Sequence, residues 1–237
     1  SIFNLPTFIN SMLDKNWLGD KTKQGFYKKE RDENGKRKIL ALNLNTLEYK
    51  EKTKSKFDTI SKAKKINSLL KRFPVLIEGN DKAAIFYKKM FAFMFSYVSH
   101  RVSEICDEIY EIDSAMCAGF GWQLGPFEIW DAIGIDKGIN LMRSENLDIP
   151  KWIQNITVES FYSIENNLST FYSKSQQKYD QIPRLNKVII LKNLKSNSLL
   201  WQNQGVSLID LGDEILNIEF HTKLNSIGKE VIEGINK

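Results

Sequence analysis

The stretch from Lys82 to Tyr110 constrains this chain of 237 residues more than any other. It is entered through Asn80-Asp81, both good helix N-caps, and its middle, Met90-Phe-Ala-Phe-Met-Phe95, has no polar residue on any side. A helix that is apolar all round is covered by neighbours rather than laid on a surface. It does not suit a bilayer, because the charge-free apolar stretch Met90 to Val98 is about half of the ~20 residues a span requires. The sequence therefore predicts a mainly α protein built around one long buried helix. Its 42% hydrophobic and 27% charged residues support a packed core and exclude a disordered chain.

Two cysteines cannot form a disulfide framework. The start, Ser1-Ile-Phe-Asn-Leu-Pro6, lacks the basic and apolar regions of a signal peptide. A reducing, cytoplasmic setting is the expectation. The first residue is Ser rather than Met, so a piece of a longer protein is expected. Charge is uneven: residues 1–74 hold 18 Lys+Arg against 8 Asp+Glu, and residues 75–237 hold 16 against 21. The basic excess, densest in Lys50 to Lys65, could attract phosphates. It is Lys-rich with only Tyr49 and Phe57 as aromatics, so it offers no stacking platform, and nucleic acid is not the expected partner.

Along the chain, residues 7–18 show one apolar face (Phe8, Ile9, Met12, Leu13, Trp17), with Thr7 as cap and Gly19 as stop. A turn at Asp32-Glu-Asn-Gly35 precedes extended segments at Ile39 to Leu42 and Leu44 to Tyr49. Asp113 reads as the cap of a short helix ending at Gly119, and Pro126 as the first turn of the next. A weak repeat pairs Pro6-Thr-Phe8-Ile9-Asn10 with Pro150-Lys-Trp152-Ile153-Gln154. It also pairs Phe26-Tyr27-Lys28-Lys29 with Phe171-Tyr172-Ser173-Lys174, at offsets of 144 and 145. The simplest account is a duplicated helical unit whose first copy is truncated. After Pro183 the period changes: Lys187 to Leu191 and Ser207 to Leu211 look extended. The latter forms a hairpin with Ile215 to His221, and Ile227 to Ile235 is helical again.

Catalytic constellations are missing from this pattern. Gly119-x-Gly121-x-x-x-Gly125 has the wrong spacing for a dinucleotide fingerprint and follows a helix rather than a strand. Cys106 and Cys117 have no clustered His partners, so no metal site is assigned. Ser207 and Ser226 lack a nucleophile elbow. His221 beside Glu219 is an acid/base pair or, more simply, a surface pair, and no catalytic residue is assigned.

Two segments resemble the 3-hydroxyacyl-CoA dehydrogenase C-terminal helical domain. One is Trp17-Leu-Gly-Asp-Lys-Thr-Lys-Gln-Gly-Phe-Tyr27; the other runs through Asp113-Ser-Ala-Met116, Gly119 to Glu128 and Asp131-Ala-Ile-Gly134. Gln123-Leu124 departs from the usual Pro-Met of that pattern. The tail from Ser207 to Ser226 resembles the first hairpin of an enoyl-CoA hydratase, or crotonase, domain. The resemblance implies a bifunctional β-oxidation-type parent acting on an acyl-CoA thioester substrate, with NAD as cofactor.

It further implies that the catalytic groups lie outside this chain, which binds no cofactor alone, and that Lys223, Leu224 and Asn225 lie close to CoA. The implied divisions are 1–28, the end of a first helical copy; 29–74, a basic linker; 75–180, the second copy; and 181–237, a linker with a truncated crotonase-like β start. Single-copy members dimerise through this domain, so Phe91, Phe93, Phe95, Trp122, Phe127 and Trp130 are expected to bury core or inter-copy surface. A homo-oligomer is compatible with this. The second reading is a helical dimerisation module with a basic, phosphate-attracting segment.

Overall fold

The computed structural model describes residues 4–183 and 188–237. Its internal contacts divide at Lys56/Phe57 into two units.

The first unit holds α1 (Thr7–Asp14), a 3₁₀ turn at Asp20–Thr22, and the strands β1 (Tyr27–Arg31), β2 (Arg37–Leu42) and β3 (Tyr49–Glu51). The strands form an antiparallel meander, β1-β2-β3. α1 is shorter than its apolar spacing predicts, because Asn16 takes a left-handed φ of 56° and ends it early. Its N-cap is Pro6 rather than Thr7. Leu44 to Glu48 is a turn rather than a strand: the Asn43 side chain accepts the Asn45 and Thr46 amides, and Leu47 is left-handed.

The second unit opens with α2 (Asp58–Ala63), α3 (Leu69–Glu78), α4 (Lys82–Arg101), α5 (Ile109–Phe120), α6 (Pro126–Ile133), α7 (Ile135–Ser144) and α8 (Lys151–Gln154). A second antiparallel meander follows, β4 (Tyr162–Glu165), β5 (Leu168–Ser173) and β6 (Lys178–Gln181). The chain closes with α9 (Leu191–Ser198), the sheet β7 (Leu199–Gln202), β8 (Val206–Asp210) and β9 (Leu216–Phe220), a 3₁₀ turn at Lys223–Asn225, and α10 (Lys229–Ile235).

Asp81 caps α4 by accepting the Ala84 amide, as its position predicts. The helix stops at Arg101 instead of running to Tyr110, because Ser103 turns left-handed and Glu108 with Glu111 forms a fresh capping box for α5. Nor is α4 covered on every side. Phe91, Phe95 and Val98 join the core with α6 and α7, while Phe86, Met90, Phe93 and Tyr97 stay exposed. A 3.6-residue period always presents an opposite face, and α3, α6 and α7 pack on only one of the two. Of the six aromatics expected to be covered, Phe91, Phe95, Phe127 and Trp130 are buried; Phe93 and Trp122 are not.

Leu191 lies in α9 rather than in an extended segment, and Lys187 falls outside the described residues. The hairpin β8–β9 forms as its alternation predicts, pairing Val206 with Phe220 and Asp210 with Leu216. α9 and α10 pack against β8, and Val206, Leu208, Ile209 and Val231 are buried in this small layer.

The two meanders share a pattern of contacts. β1 pairs Tyr27 with Ala41, and β4 pairs Tyr162 with Phe171. The Leu42 amide donates to Phe26 O, and the Tyr172 amide to Phe161 O. From the third strand, the Tyr49 hydroxyl donates to Gly25 O at 2.6 Å, and the Tyr179 hydroxyl to Ser160 O at 2.6 Å. Phe8 packs edge-on against Phe26, with ring centroids 6.4 Å apart, and Trp152 packs edge-on against Phe161 at 6.2 Å. In these contacts Phe26-Tyr27 takes the place that Phe161-Tyr162 takes in the other meander, whereas the sequence match pairs it with Phe171-Tyr172. Phe8 and Trp152, each two residues after a proline of the repeat matched from sequence, make like edge-on contacts with Phe26 and Phe161.

Candidate functional site

The motif residues of the second unit converge on one knot of carboxylates, Asp113 buried and Glu128 and Asp131 half-buried. Asp113 sits inside α5 and caps α6 instead of its own helix. Its oxygens accept the Phe127 and Glu128 amides, each at 3.0 Å, and the Tyr162 hydroxyl at 2.9 Å. Glu128 turns back to take the Gly125 amide at 2.8 Å. Asp131 takes the amides of Phe161 at 2.6 Å and Tyr162 at 2.9 Å, pinning the start of β4 to α6. Gly125 is required here: a Cβ on it would fall 2.2 Å from Asp113 Cβ.

Electrostatics follow from this burial. Desolvation pushes Asp113 up to about 7, against the pull of the Phe127 and Glu128 amides and the Tyr162 hydroxyl. Desolvation likewise raises Asp131 to about 7, opposed by the Phe161 and Tyr162 amides. Burial lifts the Tyr162 hydroxyl well above its usual value, and the Asp113 charge adds to it. The thiols of Cys106 and Cys117 are also raised, mainly by desolvation. Asp113 and Asp131 bond amides and a hydroxyl of the fold, and Glu128 caps α6 through one oxygen, so the cluster joins α5, α6 and β4.

The other candidates are dispersed. Ser207 Oγ lies 2.7 Å from His221 Nε2, and Glu219 approaches the same nitrogen at 3.8 Å while pairing with Lys195 at 2.6 Å. A relay needs the acid on the opposite ring nitrogen, and Ser207 is fully buried, so this is no nucleophile. Lys223, Leu224 and Asn225 form an exposed 3₁₀ turn in which Leu224 is 92% exposed and has a left-handed φ of 57°. The Gly119–Gly125 segment links α5 to α6 and abuts Asp113, so its residues do not fit a dinucleotide cradle. Two open clefts of about 360 Å³ each lie elsewhere. One is bounded by Phe57, Ile60, Phe86 and Tyr87; the other is bounded by Tyr27, Asn43, Lys50 and Lys52 in the first unit. Among the described residues, no group of three or more His, Cys, Asp or Glu could hold a metal ion, and no helix is long and apolar enough to cross a membrane.

The knot lies within a segment that known proteins share. Residues 86–162 match the 3-hydroxyacyl-CoA dehydrogenase C-terminal domain. Asp113, Glu128, Asp131 and Tyr162 all fall inside that match. A Bacillus subtilis (strain 168) protein named as a 3-hydroxyacyl-CoA dehydrogenase is 38% identical over 240 residues, covering 100% of this chain and 30% of the relative. A Rickettsia prowazekii protein named as a fatty acid oxidation complex trifunctional enzyme is 24% identical over 236 residues, covering 97% of this chain and 28% of its own length. Its namesake in Rickettsia felis is 24% identical over 155 residues, covering 64% of this chain and 20% of its own length. The chain thus spans less than a third of the curated relatives it matches. No solved structure matches it significantly.

The sequence pattern placed Asp113 and Asp131 in a motif but missed what they hold. Tyr162, the residue that closes the knot, carried no signal except the Phe-Tyr pair it shares with Phe26-Tyr27.

Proposed function

We propose that this chain is the scaffold part of a longer NAD-dependent (S)-3-hydroxyacyl-CoA dehydrogenase of β-oxidation-type metabolism, and that its catalytic groups lie in the remainder of that protein. One observation carries the reading: the motif carboxylates Asp113, Glu128 and Asp131 fasten α5, α6 and β4 together. The matched helical domain and the longer relatives support it. On this reading the helical domain is duplicated, and the shared contacts of the two meanders support that. The sheet β7–β9 with the Lys223 turn is then the opening of an enoyl-CoA hydratase domain, with Lys223, Leu224 and Asn225 near the CoA of the whole enzyme. The test is an NADH-coupled assay with acetoacetyl-CoA. The 237-residue chain alone should give no turnover, and the longer protein should reduce the substrate. Turnover by the chain alone would overturn the scaffold role.

The exposed stripe Phe86, Met90, Phe93 and Tyr97 on α4 favours a second, compatible reading as an interaction face. Its 4-3-4 spacing is that of a helix-pairing seam. Within the whole protein it would meet the other helical copy, as two subunits meet in a dimer. Replacing Phe93 and Tyr97 by Ser should leave the fold intact and weaken that contact, measured as a lower thermal midpoint of the longer protein with that of this chain alone unchanged.

A further inference from the structure

The register of the first meander sorts its charges by face. Directly paired residues of an antiparallel sheet point the same way, and neighbours along a strand point opposite ways. One face therefore carries Tyr27, Lys29 and Arg31 from β1, Arg37, Ile39 and Ala41 from β2, and Lys50 from β3. Lys52 joins them, since its Nζ lies 5.4 Å from the centre of the Tyr27 ring. The other face carries Lys28, Glu30, Lys38 and Glu51. There the charges cancel: Lys28 pairs with Glu30 at 2.6 Å, and Lys38 pairs with Glu51. The strands place no carboxylate on the cation face. Asp20 reaches Lys29 at 2.8 Å from the 3₁₀ turn, and Glu48 stands 3.8 Å from Lys50. Among the described residues, Arg37 and Lys52 have no ion-pair partner, and Arg37 lies directly opposite Arg31. Like charges directly opposite destabilise a sheet pair, and anions laid over the face relieve that cost. All five cations are exposed, as is Ile39 among them.

We propose that this face docks on an anionic lipid bilayer. The contact goes beyond the scaffold role and does not depend on it. A bilayer fits the face better than other polyanions do. The sheet displays its cations in one plane, as a leaflet displays its phosphates, and Tyr27 and Ile39 stand between them where apolar groups enter the headgroup region. Single-stranded nucleic acid needs open aromatic rings, and Tyr27, the one aromatic among these residues, lies under Lys52. An anionic surface attracts each nearby Lys or Arg, and the attraction decays within a Debye length. Segregation by face therefore matters more than net charge. The contact is peripheral and crosses nothing.

Vesicle flotation of the 237-residue chain and of the longer protein tests this. Both should float with phosphatidylcholine vesicles that contain about one third phosphatidylglycerol, should be released as salt rises, and should ignore pure phosphatidylcholine. Arg37→Gln with Lys52→Gln should weaken binding about 30-fold. Lys137→Gln with Lys151→Gln removes equal charge from exposed sites of the second unit and should change binding less than about 2-fold. All four residues are exposed, so circular dichroism and thermal unfolding of both variants should match the wild type. Equal losses in the two variants would reduce the effect to net charge and overturn the face. Failure of either protein to bind the anionic vesicles would overturn it too, as would tighter binding of duplex RNA than of vesicles through Arg37 and Lys52. Should a variant not fold, the lipid and salt dependence of the wild type alone decides.

Discussion

Asp113 and Asp131 hold their protons to about pH 7 because burial penalises their charge. Their folded pKa values lie above the unfolded value of about 3.9, so the native state carries more protons than the unfolded chain. The stability they contribute is full below about pH 4 and is lost as pH rises towards 7, at about 1.4 kcal/mol per pH unit for each group. Urea unfolding at a series of pH values should show this decline, and Asp131→Asn should remove about half of the slope; an unchanged slope would refute the assignment. Asp81 has the opposite sign: the Thr59 and Ala84 amides lower its carboxyl, so its contribution is lost only as pH falls below about 4. Tyr49 and Tyr179 hold equivalent carbonyls. Tyr49→Phe and Tyr179→Phe should therefore each cost about 1 kcal/mol in chemical denaturation. A neutral result at either position would break the equivalence. Apart from the Asp81 cap, these partnerships could not be seen in the local sequence. Asp113 and Asp131 stand out in a glycine-rich motif, but their acceptor roles reach Tyr162 and Phe161 across 49 and 30 residues.

Among the elements, α4 shows how far periodicity alone reaches. The Asp81 cap and the apolar run place the start of the helix correctly but not its end at Arg101. Which face is covered depends on where α3, α6 and α7 arrive, and no residue of α4 encodes that. Its inner face stacks ring on ring: Phe91 on Phe95 at 5.9 Å, and Phe95 on Trp130 at 4.5 Å with planes 10° apart. Trp130 also donates its indole N–H to Ile135 O at 3.1 Å. Trp130→Ala should cost about 3–5 kcal/mol by cavity formation. Phe93→Ala on the outer face should fall within about 0.5–1 kcal/mol, and thermal unfolding of the pair reads the contrast. Gly138 lies against the same indole, where a Cβ would come within 2.0 Å of its nitrogen. Gly138→Ala should destabilise by about 1–3 kcal/mol through overpacking.

At the scale of the whole molecule, the α-rich class and the C-terminal return to strands were legible, since both rest on local period. The meander β4–β6 was not, because Asn166-Asn167 and Lys174 to Gln177 are turns between short strands with little alternation. The apolar layer of β8, α9 and α10 lies apart from the cluster that joins Phe91, Phe127 and Phe161. Among the described residues, the side-chain bonds from α9 to the preceding meander run from Asn193, buried and donating to Asn167 O and Ser169 Oγ, and from Asn197. With so slender a seam, the C-terminal layer is expected to unfold as a cooperative unit of its own. Under rising denaturant it should detach while the Trp130 core still holds, and Asn193→Ala should widen the gap between the two transitions.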